Sequence, residues 1–173
     1  TKNVDREGGF GVYYHFDYVG VPRNYKWTNT VQIGKVWQQM NLSYERGAKD
    51  LWVVNVGDLK PIEFPIDFFL TMAWDPQKMD TQALQDYASD FAKQSFGVDL
   101  ANDIGDLLAR YGTYAAMRKP ELLNQDTFAV GEVSAPALKA GEFYQHYSKW
   151  QILEADMEKV KAKISDTHYS AFF

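Results

Sequence analysis

Two short apolar segments are the clearest strand candidates, and their small number limits the folds open to this chain. Residues 10–16 are rich in aromatic and β-branched side chains, and residues 51–56 are apolar on both faces. A helical pattern lies between them, so the order predicts a parallel βαβ unit. Because two strands cannot form an independent sheet covered on both faces, we expect further strands upstream of residue 1.

The helix between the strands is predicted from its apolar stripe and its end signals. Asn29 or Thr30 is expected to cap its start, and Gly47 to close its end in a left-handed conformation. A second helix is expected to carry Pro65 in its first turn and to stop at residues 74–76. The stripe of the first helix consists of Ile33, Val36, Trp37, Met40 and Tyr44.

Beyond these elements the pattern becomes helical. Asp80 or Thr81 is expected to cap a helix that Gly97 ends, and the next helix is expected to open near Asp99 and to end at residues 118–120. After a predicted loop, a long final helix carries a heptad seam that is typical of packing against another helix. The seam consists of Phe143, Trp150, Leu153, Met157, Val160 and Ile164.

The fold class predicted from these patterns is α/β followed by all-α. Residues 1–75 are expected to be the closing βαβα part of a (β/α)8 barrel, which needs about 250 residues in full. Residues 76–173 are expected to be a helical bundle, truncated at its C-terminus. Because the chain starts on Thr1 and ends on two phenylalanines, we interpret it as a piece of a longer protein.

Composition excludes several classes of function. The 18 basic and 23 acidic residues give a net charge of −5, which argues against a nucleic-acid partner. No cysteine occurs, so disulfides and thiolate chemistry are excluded. No apolar run approaches the ~20 residues that a membrane helix needs. The sequence contains no phosphate-binding glycine motif, no HExxH motif and no GxSxG motif. We therefore expect neither a metal nor a cofactor.

Polar side chains follow both predicted strands, and in parallel sheets such positions meet at one edge. His15 and Tyr18 follow the first strand, and Asn55 follows the second. A histidine at such a place is either a core residue or a group that binds a ligand. Its neighbours favour the ligand role, and Asn55 is likewise either a turn residue or a donor to a ligand hydroxyl.

Other polar residues nearby have simpler explanations. Asp17 and Asp58 are candidate acids or bases, although an aspartate in a turn often accepts backbone hydrogen bonds. Arg23 and Lys26 are interpreted as solvated loop charges. Trp27 is expected either to stack on a sugar ring or to anchor the loop on the barrel. His146 and His168 are expected to serve packing or to lie at the surface.

Several long segments resemble one enzyme family, the glycoside hydrolase family 115 α-glucuronidases. The resemblance rests on GFGVYYHFDYVG (9–20), PRNYKW (22–27), VNVGDLKP (54–61), EFP (63–65), RKPELL (118–123) and YSAFF (169–173). These segments occur in the family's order and span nearly the whole chain. Val21 departs from the glycine that the family often has there.

The resemblance implies a large enzyme with a (β/α)8 catalytic barrel followed by a helical bundle. It implies removal of glucuronic or 4-O-methylglucuronic acid, α-1,2-linked to xylose, from glucuronoxylan or its oligosaccharides, with inversion. His15, Tyr18 and Asn55 match substrate-binding positions of the family. The catalytic carboxylates are expected on earlier strands, so the isolated piece is expected to be inactive.

The resemblance also implies a periplasmic or extracellular location, because the substrate is a polymer. An alternative function remains open: a non-catalytic helical interaction module or a carbohydrate-binding module with a short α/β lead-in. This alternative explains the heptad helix and the aromatic content of 16%. It does not explain why polar residues gather at the ends of two apolar strands.

Overall fold

In the computed structural model, the residues described are 6–17, 28–118, 122, 124–128 and 141–168. Within them the chain is a mixed α/β protein, mostly helical, with a small two-stranded parallel sheet. The elements in chain order are β1 (Gly11–His15), α1 (Ile33–Glu45), β2 (Leu51–Asn55), α2 (Glu63–Trp74), α3 (Thr81–Phe96), α4 (Ala101–Ala115) and α5 (Glu142–Lys161).

The chain divides into two compact units, Thr1–Gln85 and Asp86–Phe173. The first holds the sheet with α1 and α2, and α4 and α5 belong to the second. The α/β character of the predicted fold is confirmed. The assignment of residues 1–75 to a barrel and of 76–173 to a helical bundle stays a prediction.

In the first unit, β1 and β2 pair in parallel, with Gly11 opposite Leu51 and His15 opposite Asn55. Side chains alternate between the two faces of such strands. One face carries Tyr14 and Trp52, whose rings lie 6.3 Å and 6.0 Å from the Phe69 ring of α2. This face is therefore covered by helices, and its core contains Phe16, Val36, Met40, Phe64, Phe68, Phe69 and Met72.

The opposite face of the sheet is open. Tyr13 and Leu51 each expose 63% of their surface, and Val53 exposes 42%. These side chains alternate with the buried ones, so the sequence supplies apolar residues to both faces while the first unit covers one of them. The strand positions were predicted correctly, including the apolar character of both faces.

The end of α1 follows the predicted signal, whereas its start does not. Gly47 has φ 96°, its N–H bonds to the Tyr44 carbonyl, and the Ala48 N–H bonds to the Ser43 carbonyl. This is the Schellman pattern, which satisfies carbonyls at a helix end.

The predicted cap at Asn29 or Thr30 is wrong. α1 begins after Gln32, which makes no side-chain cap. Asn29 is buried, and its Oδ1 accepts a hydrogen bond from the Val31 N–H at 2.9 Å. The asparagine oxygen is thus used in a local turn that precedes the helix.

Other predicted ends are confirmed or shifted slightly. Pro65 lies in the first turn of α2, which ends at Trp74. Asp80 caps α3 through a 2.8 Å bond from the Ala83 N–H to its Oδ1, and Gly97 follows the helix with φ 87°. α4 begins at Ala101, two residues after the predicted start, and ends at Ala115, before the predicted end at residues 118–120. Lys119 and Pro120 lie outside the described residues.

The second unit has a core of its own. Gly105 of α4 comes so close to α3 that an added Cβ would lie 2.7 Å from the Ser89 Cα. On α5, Leu153 and Val160 are buried, as the heptad seam predicts, but Phe143 is 48% exposed and Ile164 lies beyond the helix end. The core consists of Ala92, Phe96, Ile104, Leu107, Leu153 and Val160.

Candidate functional site

The two strand ends bring His15 and Asn55 side by side. They are register partners, and the Phe16 N–H extends the ladder by donating to the Asn55 carbonyl at 2.9 Å. Neighbouring strands lie about 4.8 Å apart, so both side chains reach one ligand-sized space. By strand alternation they stand on the open face, in line with Tyr13 and Val53.

The His15 ring is held by its own strand end. Its Nδ1 lies 3.2 Å from the Asp17 carbonyl oxygen, and its ring centroid lies 4.5 Å from that of Tyr13. A carbonyl oxygen only accepts, so this bond requires the proton on Nδ1. In the neutral ring Nε2 then carries the lone pair, and the imidazole is held in one orientation.

The Asn55 amide is also fixed. Its Oδ1 accepts a hydrogen bond from the Gly57 N–H at 3.0 Å. Gly57 has φ 76°, the left-handed region that favours glycine. Since the oxygen is used in the turn, the amide NH₂ is the end of Asn55 that can donate to a ligand oxygen.

The Asp17 side chain does not share the open face with His15 and Asn55. Its Oδ2 is buried and has no hydrogen-bond partner among the residues described. It lines a pocket of about 20 Å³, room for about one water molecule, together with the buried residues Phe16, Val31 and Ile62. The carboxyl is therefore turned toward the core side of the strand ends.

The remaining candidates divide into local turn residues and residues that are not described. The Asp58 Oδ1 accepts a bond from the Leu59 N–H at 2.8 Å, which is the turn role that the sequence also suggested. Tyr18, Arg23, Lys26 and Trp27 lie outside the described residues. The site as described consists of His15 and Asn55, with Tyr18 still a prediction.

The two other histidines lie in the second unit. The His146 ring contacts the Phe128 ring in a tilted arrangement with their centroids 4.2 Å apart, and its Nε2 lies 3.9 Å from the Glu142 Oε1. His168 bonds to Ser165 at 3.2 Å and meets the Phe96 ring at 6.3 Å. Both contacts agree with the packing role that was expected.

Neither metal binding nor membrane insertion has support in the described part of the chain. Among those residues, no three histidine, aspartate or glutamate side chains are grouped as a metal ion would need. None of the described helices has the length and apolar character to cross a membrane.

One feature of the site was missed by sequence reasoning. A Cβ on Gly57 would lie 2.6 Å from the Asp17 Oδ2 and 2.7 Å from the Asp17 Cβ, so the two residues are in direct contact. The available signal was a glycine directly after a strand, which often marks a close approach of backbone. The sequence did not reveal which residue approaches it.

In α/β proteins with parallel sheets, ligands bind at the carboxyl ends of the strands, which is where His15 and Asn55 lie. The family model described as glycosyl hydrolase family 115 matches residues 1–122 of this chain. The chain belongs to this family, which confirms the resemblance seen in the sequence.

A solved structure matches nearly the whole chain. It is described as a family GH115 4-O-methyl-α-glucuronidase, BtGH115A, with specificity for decorated arabinogalactans. The match covers 96% of this chain with a TM-score of 0.80 and 28% sequence identity. It covers 23% of that structure, so this chain spans less than a quarter of its length. No curated protein matches the chain.

Proposed function

We propose that this chain forms the closing part of a (β/α)8 catalytic barrel and a helical bundle in a larger α-glucuronidase. The enzyme releases glucuronic or 4-O-methylglucuronic acid from an α-1,2 linkage by inverting hydrolysis. In it His15, Tyr18 and Asn55 bind the sugar. The observation that carries this proposal is the register pairing of His15 and Asn55 at the ends of parallel strands.

The open face of the sheet supports the barrel assignment. In a (β/α)8 barrel, helices cover the outside, and layers of apolar side chains fill the inside. Tyr13, Leu51 and Val53 are apolar and exposed on the face opposite the helices. Further strands would cover this face, and the C-terminal ends of the strands, where His15 and Asn55 lie, would then line the mouth of the barrel.

The chemistry of the two side chains suits a uronic acid. The sugar hydroxyls can donate a hydrogen bond to the Nε2 lone pair of His15, and the carboxylate or hydroxyl oxygens can accept one from the amide of Asn55. Inversion needs a general acid and a general base about 6.5–9.5 Å apart, one on each side of the scissile bond. We assign neither role to this chain, and place the two carboxylates on other barrel strands.

The polymer that carries the uronic acid is proposed to be glucuronoxylan or its oligosaccharides. The matched solved structure favours a second candidate, because its enzyme is described as specific for decorated arabinogalactans. Both polymers would present the uronic acid as a terminal side group, so the site argued above serves either one.

The test of the activity uses the full-length enzyme that carries this chain. Release of free uronic acid is measured on glucuronoxylan, on xylo-oligosaccharides that carry 4-O-methylglucuronic acid, and on decorated arabinogalactan. Release from the xylan substrates supports the first candidate, and release from arabinogalactan alone selects the second. No release from any of the three contradicts the proposed function and favours a non-catalytic binding module.

The test of the site uses His15→Ala in the same enzyme. Loss of the hydrogen bond that the ring accepts from a sugar hydroxyl should lower kcat/KM by about 10- to 100-fold. Tyr14→Phe is the matched control, because it removes a hydroxyl that bonds to Gln39 on the helix-covered face of the same strand. The control should stay within about twofold of wild type. Near-normal kcat/KM in a folded His15→Ala enzyme contradicts the substrate-binding role.

We also propose a periplasmic or extracellular location, because a polymeric plant glycan does not enter cells. Immunodetection in fractionated cells of the source tests it. Recovery in the periplasm or the medium supports the proposal, and recovery in the cytoplasm overturns it.

A further inference from the structure

We propose that Asp17 is a positioning residue that holds His15 and Asn55 in their binding geometry through Gly57. This inference rests on the proposed function, since it concerns how the sugar-binding groups are placed. It is carried by a closed set of contacts that joins the two strand ends.

The first half of this set lies on β1. The Asp17 carbonyl oxygen receives the Nδ1–H of His15 at 3.2 Å. The orientation of the imidazole therefore depends on where the backbone of Asp17 lies. A shift of that backbone after the strand would rotate or release the ring.

The second half lies on β2. The Gly57 N–H holds the Asn55 Oδ1 at 3.0 Å. The Asp17 side chain lies against the Gly57 Cα, at the position that a Cβ would fill: such an atom would lie 2.6 Å from Oδ2, 2.7 Å from Cβ and 3.0 Å from Cγ. Asp17 thus bonds to His15 through its carbonyl oxygen, and its side chain contacts Gly57, the residue that orients Asn55.

The location of the Asp17 carboxyl separates this role from catalysis. Its Oδ2 is buried and lines the small pocket with the buried residues Phe16, Val31 and Ile62. His15 and Asn55 stand on the open face, so Asp17 acts on the sugar through them.

The first experiment substitutes Gly57 in the full-length enzyme. Gly57→Ala introduces a Cβ that overlaps Asp17 and should displace both strand ends, raising KM and lowering kcat/KM by about 10- to 100-fold. Gly47→Ala is the matched control, because Gly47 also has a positive φ, 96°, yet has nothing within 4 Å of an added Cβ. The control carries the backbone strain without the overlap, and its kcat/KM should stay within about twofold.

The second experiment removes the Asp17 side chain. Asp17→Gly alone should lower kcat/KM by about tenfold through KM. In the Gly57→Ala background, Asp17→Gly removes all three overlapping atoms. The kcat/KM of the double variant should therefore be no lower than that of Gly57→Ala alone. Asp17→Asn keeps the shape that packs on Gly57 and should stay within about threefold of wild type. Thermal unfolding of each variant confirms that it is folded.

The outcomes separate this proposal from the function on which it rests. Near-normal kcat/KM in folded Asp17→Gly overturns the positioning role, provided that His15→Ala is impaired. A 100-fold or larger loss of kcat at unchanged KM in Asp17→Asn also overturns it, because that pattern marks a catalytic carboxylate. Normal activity of His15→Ala, in contrast, defeats the proposed function itself.

Discussion

The two compact units differ in how completely their apolar side chains are covered. In the second unit, α3, α4 and α5 supply a shared core in which Ile104 and Val160 expose 2% and 4% of their surface. In the first, the helices cover one face of the sheet, and Tyr13, Leu51 and Val53 remain exposed on the other. The polar strand-end residues His15 and Asn55 therefore lie on the face that the first unit leaves exposed.

The second unit is also held together by ion pairs and ring contacts. In addition to its core, this unit contains ion pairs of Arg110, whose Nη2 lies 2.6 Å from the Asp106 Oδ2 and whose Nη1 lies 3.0 Å from the Asp156 Oδ2. Its rings pack on one another, with Trp150 meeting Tyr111 and Tyr114 edge to face at 5.7 Å each. We therefore expect substitutions in the second unit to lower stability with little effect on the proposed sugar binding.

The largest expected effect tests whether the open face is covered in the full-length enzyme. Val53→Asp places a carboxylate on that face, and inside a barrel it should cost about 3–5 kcal/mol of the free energy of unfolding, since a buried charge without a partner is not compensated. Chemical denaturation measures the change.

The control for this variant is Leu70→Asp on α2, where the leucine is 57% exposed. It should cost about 1 kcal/mol or less, mainly from helix propensity. If Val53→Asp costs no more than Leu70→Asp, the face is open to water and the barrel assignment is wrong.

A smaller effect is expected in the core of the second unit. Leu153→Ala removes a side chain that is 7% exposed and should lower the free energy of unfolding by about 2–5 kcal/mol through lost burial and a cavity. The adjacent Ile152 is 58% exposed, so Ile152→Ala should change it by about 0.5 kcal/mol or less. Equal losses for the two variants would contradict the helix packing described above. kcat/KM of the folded enzyme should not change for either.

The smallest effect concerns pH. Hydrogen bonds from Lys159 and then from Arg110 hold the pKa of the Asp156 carboxyl below its ordinary value of 3.8. A carboxyl with a lowered pKa in the folded state stabilises the protein above its unfolded pKa, and this contribution is lost as the pH falls through the folded pKa.

Asp156→Asn should therefore be less stable than wild type at pH 7, and the difference should shrink as the pH falls below about 3.8. Thermal unfolding at several pH values measures it, with Asp126→Asn in an exposed turn as the control. A difference that stays constant down to pH 2 would show that the ion pairs of Asp156 do not contribute to stability.

Much of the fold was predictable from the sequence, because local signals and tertiary packing agree. The glycines at 47 and 97 end helices, and Asp80 begins one, as their side-chain chemistry favours. The start of α1 was mispredicted because the oxygen of Asn29 bonds to the Val31 N–H in a turn before the helix. A capping residue and a turn residue have the same chemistry, so the sequence does not distinguish them.

That His15 and Asn55 lie side by side was predictable from the sequence, whereas the contact of Asp17 with Gly57 was not. Topology alone places the ends of parallel strands together, and the register of His15 with Asn55 agrees with this. The contact of Asp17 with Gly57 depends on the path of the chain after each strand, which side-chain periodicity does not encode. The role of Tyr18 stays a prediction, because Tyr18 lies outside the described residues.

The strand ends that bear His15 and Asn55 are proposed to bind the uronic acid. The most direct test is a crystal structure of the full-length enzyme with bound 4-O-methylglucuronic acid. We expect the His15 Nε2 to lie within about 3.2 Å of a sugar hydroxyl, and the Asn55 amide nitrogen to lie within about 3.2 Å of a hydroxyl or carboxylate oxygen. A sugar bound with neither side chain in hydrogen-bond reach would contradict the proposal.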